Sequence, residues 1–267
     1  MPREIHPGIH WIQEFGPDRP GIAKSLVDRG AHWYRPGREI HVPQNAFLFA
    51  GERTLLFDTL SPAAAEQILA DLETVLEGRA LDYLALSHPD VPHAGNTFRI
   101  LERHPGATLV APRFGRTHEL YHLEDAHKVG PGDSLDLGGQ RLHFHDAAFL
   151  DAAMSMWMTE ETSGMLLPVD WMGLPLMDGE GLLFADEFSS LVDVDRYAEF
   201  HGRVMFWMRY VDVARTQAEI DLLLETYRPA MIASAHGPVI RADVPRYFEM
   251  MKEVVERVAT GGRTGVL

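Results

Sequence analysis

Blocks of apolar residues alternate with polar turns along the first half of the chain, which predicts strands and helices in turn. Apolar runs at residues 46–50 and 54–57 flank the turn Gly51-Glu52-Arg53 and predict a hairpin. Ser61 and Pro62 then predict a helix start, and apolar residues at helical spacing continue to Gly78. The run 83–87 predicts a buried strand that ends in a polar loop, 88–95. A short helix at 96–103 and a strand at 108–111 are predicted next.

After Gly130-Pro131-Gly132 the pattern favours strands, and the chain ends in helices. The predicted strands are 134–137, 141–144, 154–158, 182–184 and 231–234. The predicted helices are 195–210, 216–227 and an amphipathic C-terminal helix at 243–260. Two β-rich halves, each closed by helices, predict an α+β fold with sheets face to face and helices outside. We interpret residues 1–267 as one domain that begins with an irregular Pro/Gly-rich segment at 1–40.

The composition of the chain excludes or disfavours several classes of function. The 24 Lys+Arg and 39 Asp+Glu give a formal charge of −15, which disfavours nucleic acid and anionic membranes as partners. No signal peptide or spanning segment is visible, so we expect a cytoplasmic protein. The absence of cysteine excludes disulfides, iron–sulfur clusters and a cysteine nucleophile. The 14 histidines are therefore the place to look for chemistry.

Histidine and carboxylate side chains follow several predicted strands. Because a sheet is rigid, the loops at its strand ends can bring such side chains together around one metal ion. The candidate metal ligands are His88, Asp90, His93, Asp151, Asp186 and His236. A rival pattern, His118-Glu119-Leu120-Tyr121-His122, spells the zinc-protease motif, but its extended form fails because Asp125 and Lys128 stand where glycine and histidine belong. We interpret it as an exposed helix. Methionines 154, 156 and 158 alternate on a strand and are interpreted as packing residues.

From about Asn45 to Arg241 the sequence resembles the metallo-β-lactamase superfamily, and within it the diiron domain of flavodiiron proteins (type A flavoproteins) and oxygen-binding diiron proteins. The resemblance rests on residues 45–49 with 56–59, on the loop 87–95, on 142–156, on 183–188 and on 233–238. It implies an αββα four-layer sandwich. It also implies a homodimer, and two iron ions as the cofactor, with zinc or manganese as alternatives.

The resemblance also assigns ligands position by position. It places His88, Asp90, Asp151 and Asp186 on one metal, and it places His93, His236 and the shared Asp186 on the other. Two departures stand out: Asp151 replaces a histidine of the family, and Pro92 replaces an aspartate, which leaves the second position short of ligands. His143 or His145 is a substitute ligand in this interpretation. Asp58 is interpreted as a turn residue or a partner of a ligand rather than a ligand itself.

The resemblance favours a non-haem diiron protein that binds or reduces dioxygen or nitric oxide. No flavin-binding domain is recognised on the chain, so electrons for turnover would come from a separate reductase. Two other hypotheses stay open: a metal-dependent hydrolase of a thioester, ester or phosphoester, and a non-catalytic member with a degenerate metal site. No catalytic residue beyond the metal ligands is predicted. Metal identity separates the first two hypotheses.

Overall fold

A computed structural model of the chain describes residues 1–15, 22–113, 126–152, 154–190 and 192–261. The strands, in chain order, are β1 (Arg3–His6), β2 (Ile9–Phe15), β3 (Ile40–His41), β4 (Pro43–Ala50), β5 (Thr54–Phe57), β6 (Tyr83–Ala85), β7 (Thr108–Pro112), β8 (His127–Val129), β9 (Ser134–Asp136), β10 (Arg141–Asp146), β11 (Met156–Glu160), β12 (Met165–Leu167), β13 (Leu176–Met177), β14 (Met231–Ala233) and β15 (Val239–Ile240). The α-helices are α1 (Ile22–Asp28), α2 (Ala65–Leu76), α3 (Val91–Ala94), α4 (Thr97–Arg103), α5 (Val194–Val204), α6 (Val213–Tyr227) and α7 (Val244–Thr260).

These elements form two compact units. The first unit comprises Met1–Glu14, Gln44–Ala148 and Ala152–Ser163, and the second comprises Phe15–Pro43, Phe149–Asp151 and Gly164–Leu267. Strands and helices occur in both, so the α+β class predicted from the sequence is confirmed.

The first unit is built on a seven-stranded sheet in the order β1-β2-β4-β5-β6-β7-β8. The predicted hairpin is its centre: β4 and β5 run antiparallel, with Ala50 opposite Thr54. β5, β6 and β7 run parallel to one another, so their carboxyl ends lie at one edge of the sheet. Helix α2 covers this sheet with its apolar stripe. The core consists of Ile12, Ala46, Leu48, Leu56, Leu60, Ala64, Ile68, Leu72, Leu76, Leu81, Leu84, Leu86, Ile100 and Leu109.

Part of the N-terminal segment is regular, which corrects the prediction of an irregular segment at residues 1–40: it contains β1, β2 and α1, whereas residues 29–39 are irregular as predicted. β1 and β2 pair antiparallel around Gly8, whose φ of 70° suits a tight turn. Ile9, Trp11 and Ile12 are fully buried in β2. The apolar residues of β2 are few, lack strict alternation and are flanked by proline and glycine, so the sequence pattern does not indicate a strand here.

The second unit contains short paired strands and the helices α5, α6 and α7. β12 runs parallel to β14, which pairs antiparallel with β15, and β3 pairs antiparallel with β13. The C-terminal helix α7 packs against α5 and α6 and buries the apolar stripe that the sequence pattern indicates. Among the helices of the described residues, none is both long and apolar enough to cross a bilayer.

Two predicted elements of the second unit are wrong. Residues 182–184 are not a strand, because Leu182 has a φ of 55° and a 3₁₀ turn, Ala185–Glu187, follows directly. The helix predicted at 195–210 breaks at Met205, and a 3₁₀ segment, Phe206–Tyr210, continues from there.

Candidate functional site

In the first unit, the polar groups lie where the parallel strands β5 and β6 end. Asp58 follows β5 directly, and Ser87 and His88 lie just beyond β6. Because the two strands are parallel neighbours, their carboxyl ends bring these residues together. All three are buried, and His88 is fully excluded from solvent.

Asp58 fixes the orientation of both histidines in the loop. Its Oδ2 lies 2.7 Å from Nδ1 of His93 and accepts the Ser87 hydroxyl at 2.9 Å. Since that hydroxyl has given its only proton to Asp58, Ser87 Oγ is the acceptor for His88 Nδ1 at 3.2 Å. Protons are thereby assigned to Nδ1 of both rings, and Nε2 of each neutral imidazole is the nitrogen with the lone pair. A carboxylate that sets the tautomer in this way is typical of histidines that ligate metals.

The loop itself closes through a one-turn helix. Asp90 stands at the start of α3, where its carbonyl accepts the amide protons of His93 and Ala94. Pro92 lies in the first turn of this helix, a position that suits proline because no helical amide bond is needed there. Pro92 therefore fits the backbone of the first turn of α3, but its side chain has no atom that can bind a metal.

Within this loop, the candidate ligands lie close together. The rings of His88 and His93 have centroids 4.0 Å apart. Asp90 Oδ2 lies 3.9 Å from His88 Nε2, and its side chain is exposed. The first unit therefore presents two oriented imidazoles and one carboxylate, all from residues that the sequence predicted.

The second unit repeats this arrangement with another parallel pair, β12 and β14. Asp170 lies three residues beyond β12, and His236 lies three residues beyond β14. The two loops are joined by backbone hydrogen bonds, from Ala235 N to Val169 O at 2.7 Å and from Leu174 N to His236 O at 2.8 Å. His236 Nε2 consequently lies 3.2 Å from Asp170 Oδ1.

This contact requires a positive charge between the two side chains. His236 Nδ1 lies 2.8 Å from the carbonyl oxygen of Pro43, which can only accept, so the proton of the neutral ring is on Nδ1. Nε2 then presents its lone pair to a buried carboxylate oxygen at 3.2 Å. A proton or a metal cation resolves this repulsion, and a His–carboxylate pair on one metal has this spacing between its donor atoms. The donor set therefore fits a metal ion.

Asp170 was not predicted from the sequence, and Asp186 was predicted in its place. Asp186 lies in the Ala185–Glu187 turn and is exposed, with its carboxylate 3.1 Å from Nη2 of Arg241. The structure places Asp170, not Asp186, beside His236. The sequence signal for Asp170 is weak, because the apolar run 165–167 has only three residues and Pro168 and Val169 separate it from the carboxylate. The false strand at 182–184 drew the assignment away from it.

Asp151 belongs to the second unit as part of the short segment Phe149–Asp151. Phe149 stacks on Trp171 with ring centroids 4.9 Å apart, and Trp207 Nε1 donates to Leu150 O at 2.8 Å. The segment is therefore anchored beside Trp171, the neighbour of Asp170 in sequence. The side chain of Asp151 is exposed.

The predicted substitutes His143 and His145 have other partners. His145 Nε2 bonds to Thr159 Oγ1 at 2.8 Å, and burial lowers the pKa of His145 to about 4. His143 lies 3.4 Å from Glu161 at the surface. The motif residues 118–122 lie outside the described residues.

One further group of possible donors, Glu39, His41 and Asp178, lies on the β3–β13 pair. Asp178 accepts a hydrogen bond from His41 and lies beside Arg38. The hydrogen bond from His41 is the main reason that the pKa of Asp178 is lowered. These partners make the group a surface ion-pair network.

Comparisons with known proteins agree with a metal-binding function. A family model described as the metallo-beta-lactamase superfamily matches residues 41–216. The chain is 25% identical over 258 residues to a nitric oxide reductase of Moorella thermoacetica, covering 93% of this chain and 60% of that protein. It is 28% identical over 206 residues to the anaerobic nitric oxide reductase flavorubredoxin of Aliivibrio salmonicida, covering 74% of this chain and 40% of that protein.

Among solved structures, rubredoxin oxygen:oxidoreductase from Desulfovibrio gigas superposes with a TM-score of 0.72 at 20% identity, covering 97% of this chain and 61% of that one. At this identity the likeness shows the fold. The chain spans 40–61% of the length of these three relatives. Since the family model matches well over half of its residues, the chain belongs to the metallo-beta-lactamase superfamily and has the fold of flavodiiron proteins.

Proposed function

We propose that the chain is a non-haem iron protein that binds or reduces dioxygen or nitric oxide. In this proposal each unit supplies candidate ligands of its own. They are His88, Asp90 and His93 in the first unit, and Asp170 and His236, with Asp151 as a further carboxylate, in the second. Asp170 takes the role that the sequence analysis gave to Asp186.

The observation that carries the proposal is the state of the histidine rings. Nδ1 of His93, of His88 and of His236 faces Asp58, Ser87 and a backbone carbonyl, respectively, so each ring holds its proton away from Nε2. The Nε2 lone pair of each ring is therefore the one that would bind a metal ion. Both units contain buried imidazoles with this tautomer, and in the second unit the imidazole of His236 faces buried Asp170. Donors of these two types favour a hard or borderline divalent cation.

Iron is favoured because the relatives named above are nitric oxide and oxygen reductases by their printed names. Ferrous iron supplies electrons and open coordination positions to a diatomic ligand when it is bound. The residues of this chain orient the histidines: Asp58 holds the proton of His93 on Nδ1, and the Pro43 carbonyl holds that of His236 on Nδ1.

The electron source in the proposal is a separate protein. The printed name of the Desulfovibrio gigas relative refers to rubredoxin and oxygen, and that of the Aliivibrio relative refers to flavorubredoxin. A small electron-transfer protein is the partner class that follows, while the homodimer and the cytoplasmic location stay predictions.

The test is elemental analysis of protein purified anaerobically, with three variants beside the wild-type chain. We expect iron in the wild-type protein and loss of most of it in Asp170→Asn and His236→Ala. Asp186→Asn is the matched control, because it changes a carboxylate of the same unit that pairs with Arg241, and we expect it to keep its iron. Anaerobic addition of nitric oxide should change the visible spectrum of the wild-type protein and not that of Asp170→Asn.

Two outcomes would contradict the proposal. Zinc as the main metal, with no spectral response to nitric oxide, would favour the hydrolase hypothesis. Retention of iron in Asp170→Asn together with its loss in Asp186→Asn would show that Asp186, as predicted from the sequence, is the ligand and that Asp170 is not.

A further inference from the structure

The loop that carries Asp170 has an unusual backbone. Val169 has a φ of 54° and Met172 has a φ of 63°, so non-glycine residues in the left-handed region lie on both sides of Asp170. A β-branched valine is particularly unfavourable there. Such residues persist only where surrounding contacts fix them, and they cluster at functional sites.

The contacts that fix Val169 come from the loop after β14. Ser234 donates its hydroxyl to the carbonyl of Val169 at 3.0 Å, and Ala235 donates its amide to the same oxygen at 2.7 Å. Both donors are buried, and both lie within two residues of His236. One side of the Asp170 loop is thereby tied to the loop that carries His236.

The contacts that fix Met172 come from helix α5. The amide of Met172 donates to Nε2 of His201 at 3.1 Å, and Nδ1 of His201 donates to the carbonyl of Tyr197 at 2.8 Å. His201 is fully buried, and one ring nitrogen serves as donor while the other serves as acceptor. The buried imidazole of His201 thus accepts a hydrogen bond from one backbone amide of the Asp170 loop.

Phe200, the neighbour of His201 on α5, also fixes the loop that contains Met172. Phe200 packs against Gly173 so closely that an added Cβ at position 173 would lie 2.3 Å from its ring. The ring of Phe200 also lies 5.7 Å from that of His236. The helix therefore contacts the loop at two consecutive residues and fixes its path.

We propose that His201 and Ser234 are positioning residues that hold the Asp170 carboxylate in its metal-binding orientation. The inference rests on the proposed function, since it assigns Asp170 to the metal. Without these two hydrogen bonds, Val169 and Met172 relax toward negative φ, and the peptide planes on both sides of Asp170 rotate. The carboxylate then leaves the position 3.2 Å from His236.

The experiment measures metal affinity in the full-length chain stripped of metal, with Zn²⁺ or Mn²⁺ alone as the probe in competition with a chelator. His201→Leu removes the acceptor at similar volume, whereas His201→Gln keeps an acceptor for the Met172 amide. We expect the dissociation constant to rise about 10- to 100-fold in His201→Leu, as for other partners of metal ligands, and to stay near the wild-type value in His201→Gln. The control His145→Leu removes a histidine that bonds to Thr159 in the first unit, and we expect no change in affinity.

Hydrogen exchange of the metal-free protein gives an independent readout. We expect the amides of residues 169–174 to exchange faster in His201→Leu than in the wild type or in His201→Gln. Wild-type affinity in His201→Leu, or an equal loss in the Gln variant, would overturn the assignment. If His201→Leu does not fold, Ser234→Ala decides: a raised dissociation constant supports the assignment, and an unchanged one overturns it. If the wild-type chain binds neither Zn²⁺ nor Mn²⁺, the proposed function and this inference are both overturned. If all variants bind the ion as tightly as the wild type, only this inference is overturned.

Discussion

At the scale of single residues, the candidate site is organised by the groups that hold the ligands. Asp58 is 1% exposed and accepts from the backbone amide and the hydroxyl of Ser87 as well as from His93. It also has a φ of 63°, like the residues near Asp170. Both units therefore use strained, hydrogen-bonded turns at strand ends to fix their polar groups.

Asp58→Asn should weaken metal binding about 10- to 100-fold. The amide of asparagine can donate to Nδ1 of His93, which moves the ring proton to Nε2, where a metal would bind. Chelator competition with Zn²⁺ measures the effect. Asp71→Asn is a suitable control, since Asp71 is a buried carboxylate of the same unit that contacts Gln67. Equal affinity in wild type and Asp58→Asn would show that the carboxylate does not set the tautomer.

At the scale of elements, the sequence predicted most strongly what depends on local pattern. The β4–β5 hairpin, helix α2 and strand β6 follow from apolar spacing and turn residues, and His88 and His93 lie in the loop after β6, as the sequence pattern predicts. Asp170 was missed because its strand, β12, has only three residues, and three apolar residues have no readable period. The pairing of β12 with β14 is a contact between distant segments, which no local pattern encodes.

Gly95 shows how tightly the first unit packs its short helices. An added Cβ would lie 2.6 Å from Pro62 Cδ and 2.6 Å from Val91 O, so Gly95→Ala must displace backbone. We expect the free energy of unfolding to fall by about 1–3 kcal/mol, measured in urea. Gly106→Ala is the control, since nothing lies within 4 Å of its Cβ position, and we expect little change. Equal stability of the two variants would contradict the packing described here.

His201 gives helix α5 a pH-dependent contribution to stability. Burial lowers the pKa of His201 to about 4 from 6.5, and the Met172 amide occupies the nitrogen that would take the proton. Because the folded pKa is depressed, the unfolded chain binds the proton first as the pH falls. The stability is complete above pH 6.5 and decreases toward pH 4, by at most about 3 kcal/mol from this group.

Urea unfolding of the metal-free chain at pH 7.5 and pH 5 tests this contribution. We expect the wild-type chain to lose more of its unfolding free energy between these two pH values than His201→Gln does, because glutamine does not titrate. An identical pH dependence in the two proteins would show that His201 is not held neutral by the fold.

At the scale of the whole molecule, the metal should act as a ligand of the folded chain. A cation that binds only the native state at a hundredfold excess over its dissociation constant adds about 2.7 kcal/mol to the free energy of unfolding. For a chain of 267 residues, this corresponds to a rise in melting temperature of about 5 °C. The reason is linkage: in the proposed function the candidate ligands of each unit are correctly placed only when their loops are folded, so the ion binds the native state alone.

Thermal unfolding with and without Mn²⁺ or Zn²⁺ separates this effect from general salt stabilisation of an acidic protein. With a formal charge of −15, any divalent cation screens repulsion between carboxylates, so some rise is expected in every variant. The part of the rise in melting temperature that comes from specific binding should disappear in Asp170→Asn and persist in Asp186→Asn. Both substitutions remove one negative charge, so screening changes equally in the two variants. An equal shift in both variants would mean that the cation binds the acidic surface, and that the orientation of the histidines has a structural cause.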